Sequence, residues 1–438
     1  MPINYMNEEF RETCPCGKIH KSEIDDVIVG KGVLECIPDI VSRYAADKVF
    51  VLADINTYKA AGEKLCGILD NKKIKYSKYV FNETALEPDE YAVGAAVMHF
   101  DKECSLLIAV GSGVINDIGK IVSNIANINY VIVATAPSMD GYASKSASMS
   151  VNGLKVSLPT GCAKVILGDV DVLKNAPLQM LKAGLGDMIA KYISICEWRI
   201  GNMITGEYYC ENVAQLIRSA LRRCVDNSPK LLQRDEEAIK AVFEGLVIGG
   251  AAMAYAGVSR PASGVEHYFS HIWDMRGLEF ETSVSLHGIQ CAIGTLIAIK
   301  LYEKIRKLSP EHQKALDYVK GFDYTNWSEE LIKLLGKGAF EMIEIEKKEQ
   351  KYDEDKHKKR LEIIERSWDK ILKIIDEEIP PYEEIERIFD TIALPKTVEE
   401  IGLENNIVPL SFKATKDIRD KYVLSRLAWD LGVLDEIV

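Results

Sequence analysis

Ser105-Leu-Leu-Ile-Ala-Val110 runs directly into Gly111-Ser-Gly-Val-Ile-Asn-Asp-Ile-Gly-Lys120. The first stretch is short, apolar and uncharged, as in a strand covered on both faces. The glycines that follow are punctuation, and the pattern then turns helical from Asn116 to Ile125. The same alternation extends outward on both sides. Lys48 to Ala53 reads as a buried strand ending at Asp54, followed by a helix over Thr57–Leu69. Tyr76–Phe81 is a second strand, Glu90–His99 a helix and Tyr130–Thr135 another strand. Repeated strand–helix alternation predicts βαβ units, a mostly parallel sheet and ligands at the carboxyl ends of its strands. After Pro177 the texture becomes helical: Leu178–Ala256, the surroundings of His267, His287–Lys304 and Glu329–Glu378. The expected organisation is therefore α/β: a parallel-sheet domain over residues 1–176, then an all-helical domain over 177–438.

Composition narrows the function class. The chain has 438 residues, 47% of them hydrophobic and 27% charged, enough apolar material for two or three domains with real cores. Acidic residues outnumber basic ones 66 to 54, for a net charge of −12. That balance lacks the basic footprint of a general nucleic-acid binder. It leaves room for a small anionic substrate in a locally basic pocket. No run of about 18 uninterrupted apolar residues predicts a membrane span. The opening residues carry charges where a secretory signal would be apolar, so a cytoplasmic location is expected. The ten cysteines are scattered, which suits reduced thiols. The charge-dense stretch Glu344–Arg360 mixes both signs and reads as a solvated helix face.

Several residues stand out chemically. Gly111-Ser-Gly113 opens a helix, and a phosphate there would meet unshielded backbone N–H groups and the positive end of the helix dipole. The run is neither Gly-x-Gly-x-x-Gly nor a P-loop, and a plain strand-to-helix turn is the alternative. Asp54 either meets a ribose or simply caps a turn. Histidine is scarce, seven in all, yet His267, His271 and His287 fall close together. His267 and His271 share a helix face. Asp187 lies opposite the apolar stripe Leu185, Ile189, Tyr192 and Cys196, which places it at the surface or facing a cleft, and Gly184 and Gly186 leave space beside it. Two imidazoles and a carboxylate with one open position make a catalytic metal site; unrelated core and surface residues are the other reading. Cys14-Pro-Cys16-Gly-Lys-Ile-His20 has the look of a metal knuckle but no evident fourth ligand, and is expected to be an ordinary loop.

Taken together, Gly111–Lys120, Thr135-Ala-Pro-Ser-Met-Asp-Gly-Tyr-Ala-Ser144, Gly184-Leu-Gly-Asp187, Arg260-Pro-Ala-Ser-Gly-Val-Glu-His267 with Phe269-Ser-His271, and Leu286-His287-Gly resemble the sn-glycerol-1-phosphate dehydrogenases. These stand within the wider group of iron-type alcohol dehydrogenases, glycerol dehydrogenases and 3-dehydroquinate synthases. The likeness runs from about Ser22 to Leu301 and weakens in the charged C-terminal helices, which it leaves unassigned. It implies an active site in the cleft between a Rossmann-like and a helical domain. It implies NAD or NADP lined by Gly111, Gly113, Val114, Ile115, Asn116, Asp117, Thr135, Ala136, Pro137, Ser138 and Ser144, with Asp54 at the ribose. It implies one divalent metal (zinc, nickel or iron) on Asp187, His267 and His287, and a substrate facing Asp140, Asp187 and His271. Ser112 departs from relatives that carry a third glycine, which is harmless if its backbone angles are ordinary.

The implied reaction is reversible reduction of dihydroxyacetone phosphate by NADH or NADPH to sn-glycerol 1-phosphate, with His271 or a water it orients as proton donor. Arg260, Lys155 and Lys164 are the cations expected to meet the phosphate. A homodimer is expected by family likeness. The competing expectations are a glycerol dehydrogenase, another polyol dehydrogenase, a 3-dehydroquinate synthase-like lyase and a non-catalytic nucleotide-binding protein.

Overall fold

The computed structural model describes residues 14–83, 86–151, 154–282 and 284–438. Contacts divide the chain into two compact units, Met1–Met188 with Gln215–Val258, and Ile189–Ala214 with Ser259–Val438.

The first unit is built on strands β1 (Asp26–Gly30), β2 (Lys48–Asp54), β3 (Lys75–Phe81), β4 (Leu106–Gly111), β5 (Asn129–Ala134), β6 (Ser146–Val151), β7 (Leu154–Pro159) and β8 (Val165–Asp169). Six of them form one parallel sheet in the order β1-β8-β5-β4-β2-β3. Val49–Ala53 and Leu106–Val110 are completely buried, because helices cover both faces. The order reverses between β2 and β4, since the chain leaves β2 for β3 on one side and then crosses to β4 on the other. Crevices of this kind, at the carboxyl ends of the strands, are where parallel sheets take ligands. Ala53 pairs with Val110, so Asp54 and the Gly111 turn stand side by side at this reversal.

The expected strands and helices of this region form, with shifted ends. Asn116–Ile125 is part of a longer helix, Gly113–Ala126, and Thr57–Leu69 is broken by a π-turn at Tyr58–Gly62. The antiparallel hairpin β6–β7, with its Ser- and Lys-containing strands, and the edge strand β1 carry no long apolar run and escape a reading by hydrophobicity.

The contact division falls elsewhere than residue 177. The helix Glu236–Ala256 groups with the sheet because its small residues admit close neighbours. A Cβ on Gly250 would stand 2.4 Å from the Asp140 carbonyl oxygen. From the sheet side, a Cβ on Gly168 in β8 would meet the Phe243 ring at 2.3 Å. This apolar helix is mostly buried, as a core helix is.

The second unit is helical throughout its described elements, including Lys191–Thr205, Val265–Glu279 and His287–Ile305. Trp198, Tyr268, Trp273 and Tyr302 fill its core. The charged C-terminal region is integral to it. Buried Asp417 accepts from Trp327 Nε1 (2.9 Å), from Lys416 Nζ (2.7 Å) and from Tyr352 OH. Around it Phe322 stacks on Tyr352 at 4.0 Å, and Arg360 pairs with buried Asp430. Most of Glu344–Arg360 is exposed, with Glu346, Tyr352 and His357 turned inward.

Candidate active site

In the first unit the residues expected at the cofactor begin at the turn after β4. Gly111 has to be glycine: a Cβ there would fall 2.4 Å from Ile115 Cβ. Ser112 takes φ −110°, so a side chain costs nothing, and its hydroxyl bonds Ser138 Oγ at 2.6 Å. A Cβ on Gly113 would come no closer than 3.6 Å to the Met139 side chain, so the residue keeps an open face. The first turn of Gly113–Ala126 therefore presents backbone N–H groups and a partial positive charge on an approachable surface. Gly119 was not singled out by sequence reasoning. A Cβ there would lie 3.0 Å from the Tyr130 ring and 3.1 Å from Ala109, so it lets the helix lie close on the sheet.

The residues implied at the cofactor divide into two sorts. Gly113 and Val114 keep surface, whereas Ile115 and Asn116 point into the unit, Asn116 Oδ1 accepting from Tyr130 OH at 3.0 Å. Asp117 braces the hairpin through Ser148 N at 3.2 Å. Asp54 is a helix cap: its Oδ1 accepts from Asn56 N (2.7 Å) and Thr57 N (3.0 Å), and Oδ2 takes neither bond.

Thr135–Ser144 is locked from several directions. Tyr142 OH donates to the Ala136 carbonyl at 2.6 Å. Buried Lys120 donates to the Gly141 carbonyl (2.6 Å), Ser144 Oγ (2.9 Å) and the Ser146 carbonyl (2.9 Å). Burial presses Lys120 and Asp117 toward their neutral forms, and their attraction opposes it. The helix Leu178–Ile189 approaches so closely that a Cβ on Gly184 would sit 1.8 Å from the Pro137 carbonyl oxygen. That approach brings Asp187 Oδ2 within 2.9 Å of Asp140 N, which donates to it. Asp187 is fully buried, which rules out the exposed alternative. The expected stripe assumed one continuous helix, but the chain breaks at Ala190 between Leu178–Ile189 and Lys191–Thr205.

In the second unit the helix Val265–Glu279 carries His267 and His271, and His287 starts the next helix. The His267 and His287 rings lie 5.1 Å apart, with His271 6.2 Å from His287. Each of the closer pair has its Nδ1 held: His267 by Glu266 Oε1 (2.8 Å), His287 by Ser270 Oγ (2.9 Å). An imidazole that donates from Nδ1 offers Nε2 as a lone-pair ligand, the usual support for metal-bound histidine. Cys291, one turn beyond His287, has its Sγ within 4.8 Å of ligand nitrogens of both rings. Sequence reasoning missed this thiol; the i, i+4 spacing from His287 was the available signal. This donor set suits a borderline divalent cation better than a hard, all-oxygen one.

Two expectations change here. Burial, reinforced by Arg419, His287, His267 and Lys421, drives the His271 pKa well below the usual histidine value. The ring is then neutral at physiological pH, with one nitrogen able to donate and the other to accept. Arg260 is buried and committed, its Nε donating to Glu207 Oε2 at 2.6 Å and its Nη2 to Oε1. Lys164 precedes β8 at the opposite end of the strand from the carboxyl edge and donates to the Glu23 carbonyl, and Lys155 lies on β7. Cations missed by sequence reasoning stand nearer the histidines. Lys421 Nζ is 5.6 Å over the Tyr268 ring and donates to the Ser263 carbonyl at 3.1 Å, and the Arg419 charge reaches His271. They lie beyond the stretch that carried the resemblance.

The chain is similar to several known proteins. A family model described as iron-containing alcohol dehydrogenase matches residues 28–177. The glycerol-1-phosphate dehydrogenase [NAD(P)+] of Halalkalibacterium halodurans is 32% identical over 294 residues, 66% of this chain and 74% of the relative. That of Methanosarcina mazei is 31% identical over 278 residues, 63% of this chain and 76% of the relative. Among solved structures, a maleylacetate reductase from Agrobacterium tumefaciens superposes with a TM-score of 0.63 at 11% identity, covering 95% of this chain and 96% of that one. Glycerol dehydrogenase from Schizosaccharomyces pombe gives 0.61 at 15% identity, covering 94% and 90%. At those identities the superpositions speak for the fold alone.

Proposed function

Because the chain belongs to the glycerol-1-phosphate dehydrogenases of the iron-containing alcohol dehydrogenase family, we propose that it is an NAD(P)-dependent oxidoreductase interconverting dihydroxyacetone phosphate and sn-glycerol 1-phosphate. The observation that carries the reading is the His267–His287 pair, 5.1 Å apart with both Nδ1 atoms held. Asp187, His267 and His287 would hold one divalent ion of the zinc, nickel or iron class, which when bound supplies Lewis-acid polarisation of the substrate carbonyl. A bound NAD(P)H would supply the hydride.

The protein's own residues do the rest. The N–H groups at Gly113 and Val114 would receive the cofactor phosphates, and Asp54 Oδ2 would accept from the ribose hydroxyls while Oδ1 stays in its cap. The locked Thr135–Ser144 segment would line the cofactor, and Asp140 would face the substrate. Neutral His271 would give its ring N–H proton, directly or through a water, to the oxygen that gains it as the carbonyl is reduced, while its other ring nitrogen takes a proton from solvent. Arg419 and Lys421 receive the substrate phosphate, in place of Arg260, Lys155 and Lys164.

The purified protein should oxidise NADH or NADPH with dihydroxyacetone phosphate and leave unphosphorylated dihydroxyacetone nearly untouched. His267→Ala should fold normally, lose bound metal at that centre and lose turnover. Preference for glycerol over glycerol 1-phosphate would make the protein a glycerol dehydrogenase, and full activity in His267→Ala would remove the metal assignment.

A further inference from the structure

The segment from Cys14 to Asp25 contains no helix or strand, yet it is anchored at its first residues. Gly17 N donates to the Cys14 carbonyl (2.8 Å) and Cys14 N to the Lys18 carbonyl (3.2 Å), closing a tight turn that requires the left-handed φ of +82° at Gly17. The turn directs Cys14 and Cys16 to one point, and His20 folds back on it. Sγ of Cys14, Sγ of Cys16 and a ring nitrogen of His20 all lie within 4.8 Å of one another, with Cys16 Sγ 3.3 Å from His20 Nε2. Cys14 and His20 are buried, and none of the ten cysteines is in a disulfide.

The orientation of His20 is fixed from behind. Its Nδ1 lies 3.1 Å from the carbonyl of Tyr255, in the last turn of the helix Glu236–Ala256, and Lys18 Nζ donates to the next carbonyl, Ala256, at 3.4 Å. The Tyr255 carbonyl, in the terminal turn where helix carbonyls turn to side-chain donors, holds the proton on Nδ1. The Nε2 lone pair is thereby left facing the sulfurs. This is the support that metal-bound imidazoles receive.

We propose that Cys14, Cys16 and His20 bind a zinc-class divalent cation, a structural site separate from Asp187, His267 and His287. Ligands at zinc–sulfur and zinc–nitrogen lengths in a tetrahedron stand about 3.6 Å apart. The Cys16–His20 separation is close to that spacing before any ion is considered. Binding releases the thiol protons to solvent and leaves one position for water or a further donor. The cation ties a segment without secondary structure to the carboxyl end of the core helix. The inference does not rest on the proposed reaction.

The test uses the full-length protein in the His267→Ala, Cys291→Ser background, which removes ligands from the other centre. Metal analysis should find about one zinc per chain, and replacement by cobalt should give a near-ultraviolet sulfur-to-cobalt charge-transfer band. Cys14→Ser and Cys16→Ser should each weaken the band and cut zinc occupancy at least tenfold. Zinc and band unchanged in both variants would overturn the site. Should those variants fail to fold, iodoacetamide labelling of the unmodified protein decides. Cys14 and Cys16 should label several-fold faster after a chelator, and equal labelling with and without it would refute the proposal.

Discussion

Lys421, proposed to meet the substrate phosphate, would couple substrate binding to protons. Burial, with repulsion from Arg260 and Arg419, lowers its pKa to about 7, against an ordinary lysine near 10.5. A phosphate dianion beside it favours the charged form and raises that value. Above pH 7 the empty site holds a mostly neutral lysine, so binding takes up a proton and affinity falls as pH rises. Calorimetry at pH 8 in buffers of different ionisation enthalpy should detect uptake on adding glycerol 1-phosphate. Lys421→Met should abolish the uptake and raise KM for the phosphorylated substrate at least tenfold; uptake undiminished in that variant would remove Lys421 from the phosphate site. None of this was legible beforehand. Arg260, picked for its place in a telling motif, spends its planar fork on Glu207, because a buried guanidinium needs a carboxylate partner.

At the level of elements, small residues set the geometry. The helix Leu178–Ile189 touches the Pro137 carbonyl through Gly184, and that contact positions both Asp187 and the loop it braces. Gly184→Ala should cost about 1–3 kcal/mol of stability through overpacking and should lower kcat more than it changes cofactor affinity. Urea unfolding with steady-state kinetics measures both, and wild-type values for both would show that the close approach is unimportant. Gly184 drew attention in the sequence as a small neighbour of Asp187, but what it admits, a carbonyl from residue 137, depends on packing between distant segments. The helix break at Ala190 was likewise hidden, since apolar spacing continues smoothly across it.

For the molecule as a whole, buried carboxylates link stability to pH. Glu197 accepts from Val265 N (2.9 Å) and Leu424 N (2.8 Å), joining three distant stretches of the helical unit, with Glu266 close by. Burial, then repulsion from Glu266, raises its pKa to about 8 from 4.5. Folding therefore takes up a proton between those values, and this group's contribution to stability declines as pH rises toward 8. Denaturation midpoints should fall between pH 6 and 8.5 in the native chain, with a flatter profile in Glu197→Gln; identical profiles would exclude Glu197 as a source of the slope. The alternation of apolar strands with helices, and the glycine turn at Gly111–Gly113, made the sheet and its ligand edge readable from the sequence, because those signals are local and repeat with the period of the element they build. The partners of Arg260, the burial of Asp187, the convergence of Cys14, Cys16 and His20, and the grouping of Gln215–Val258 with the sheet were settled only by tertiary structure. Each depends on which remote groups share a low-dielectric interior, and that is a property of packing in three dimensions, not of residue order.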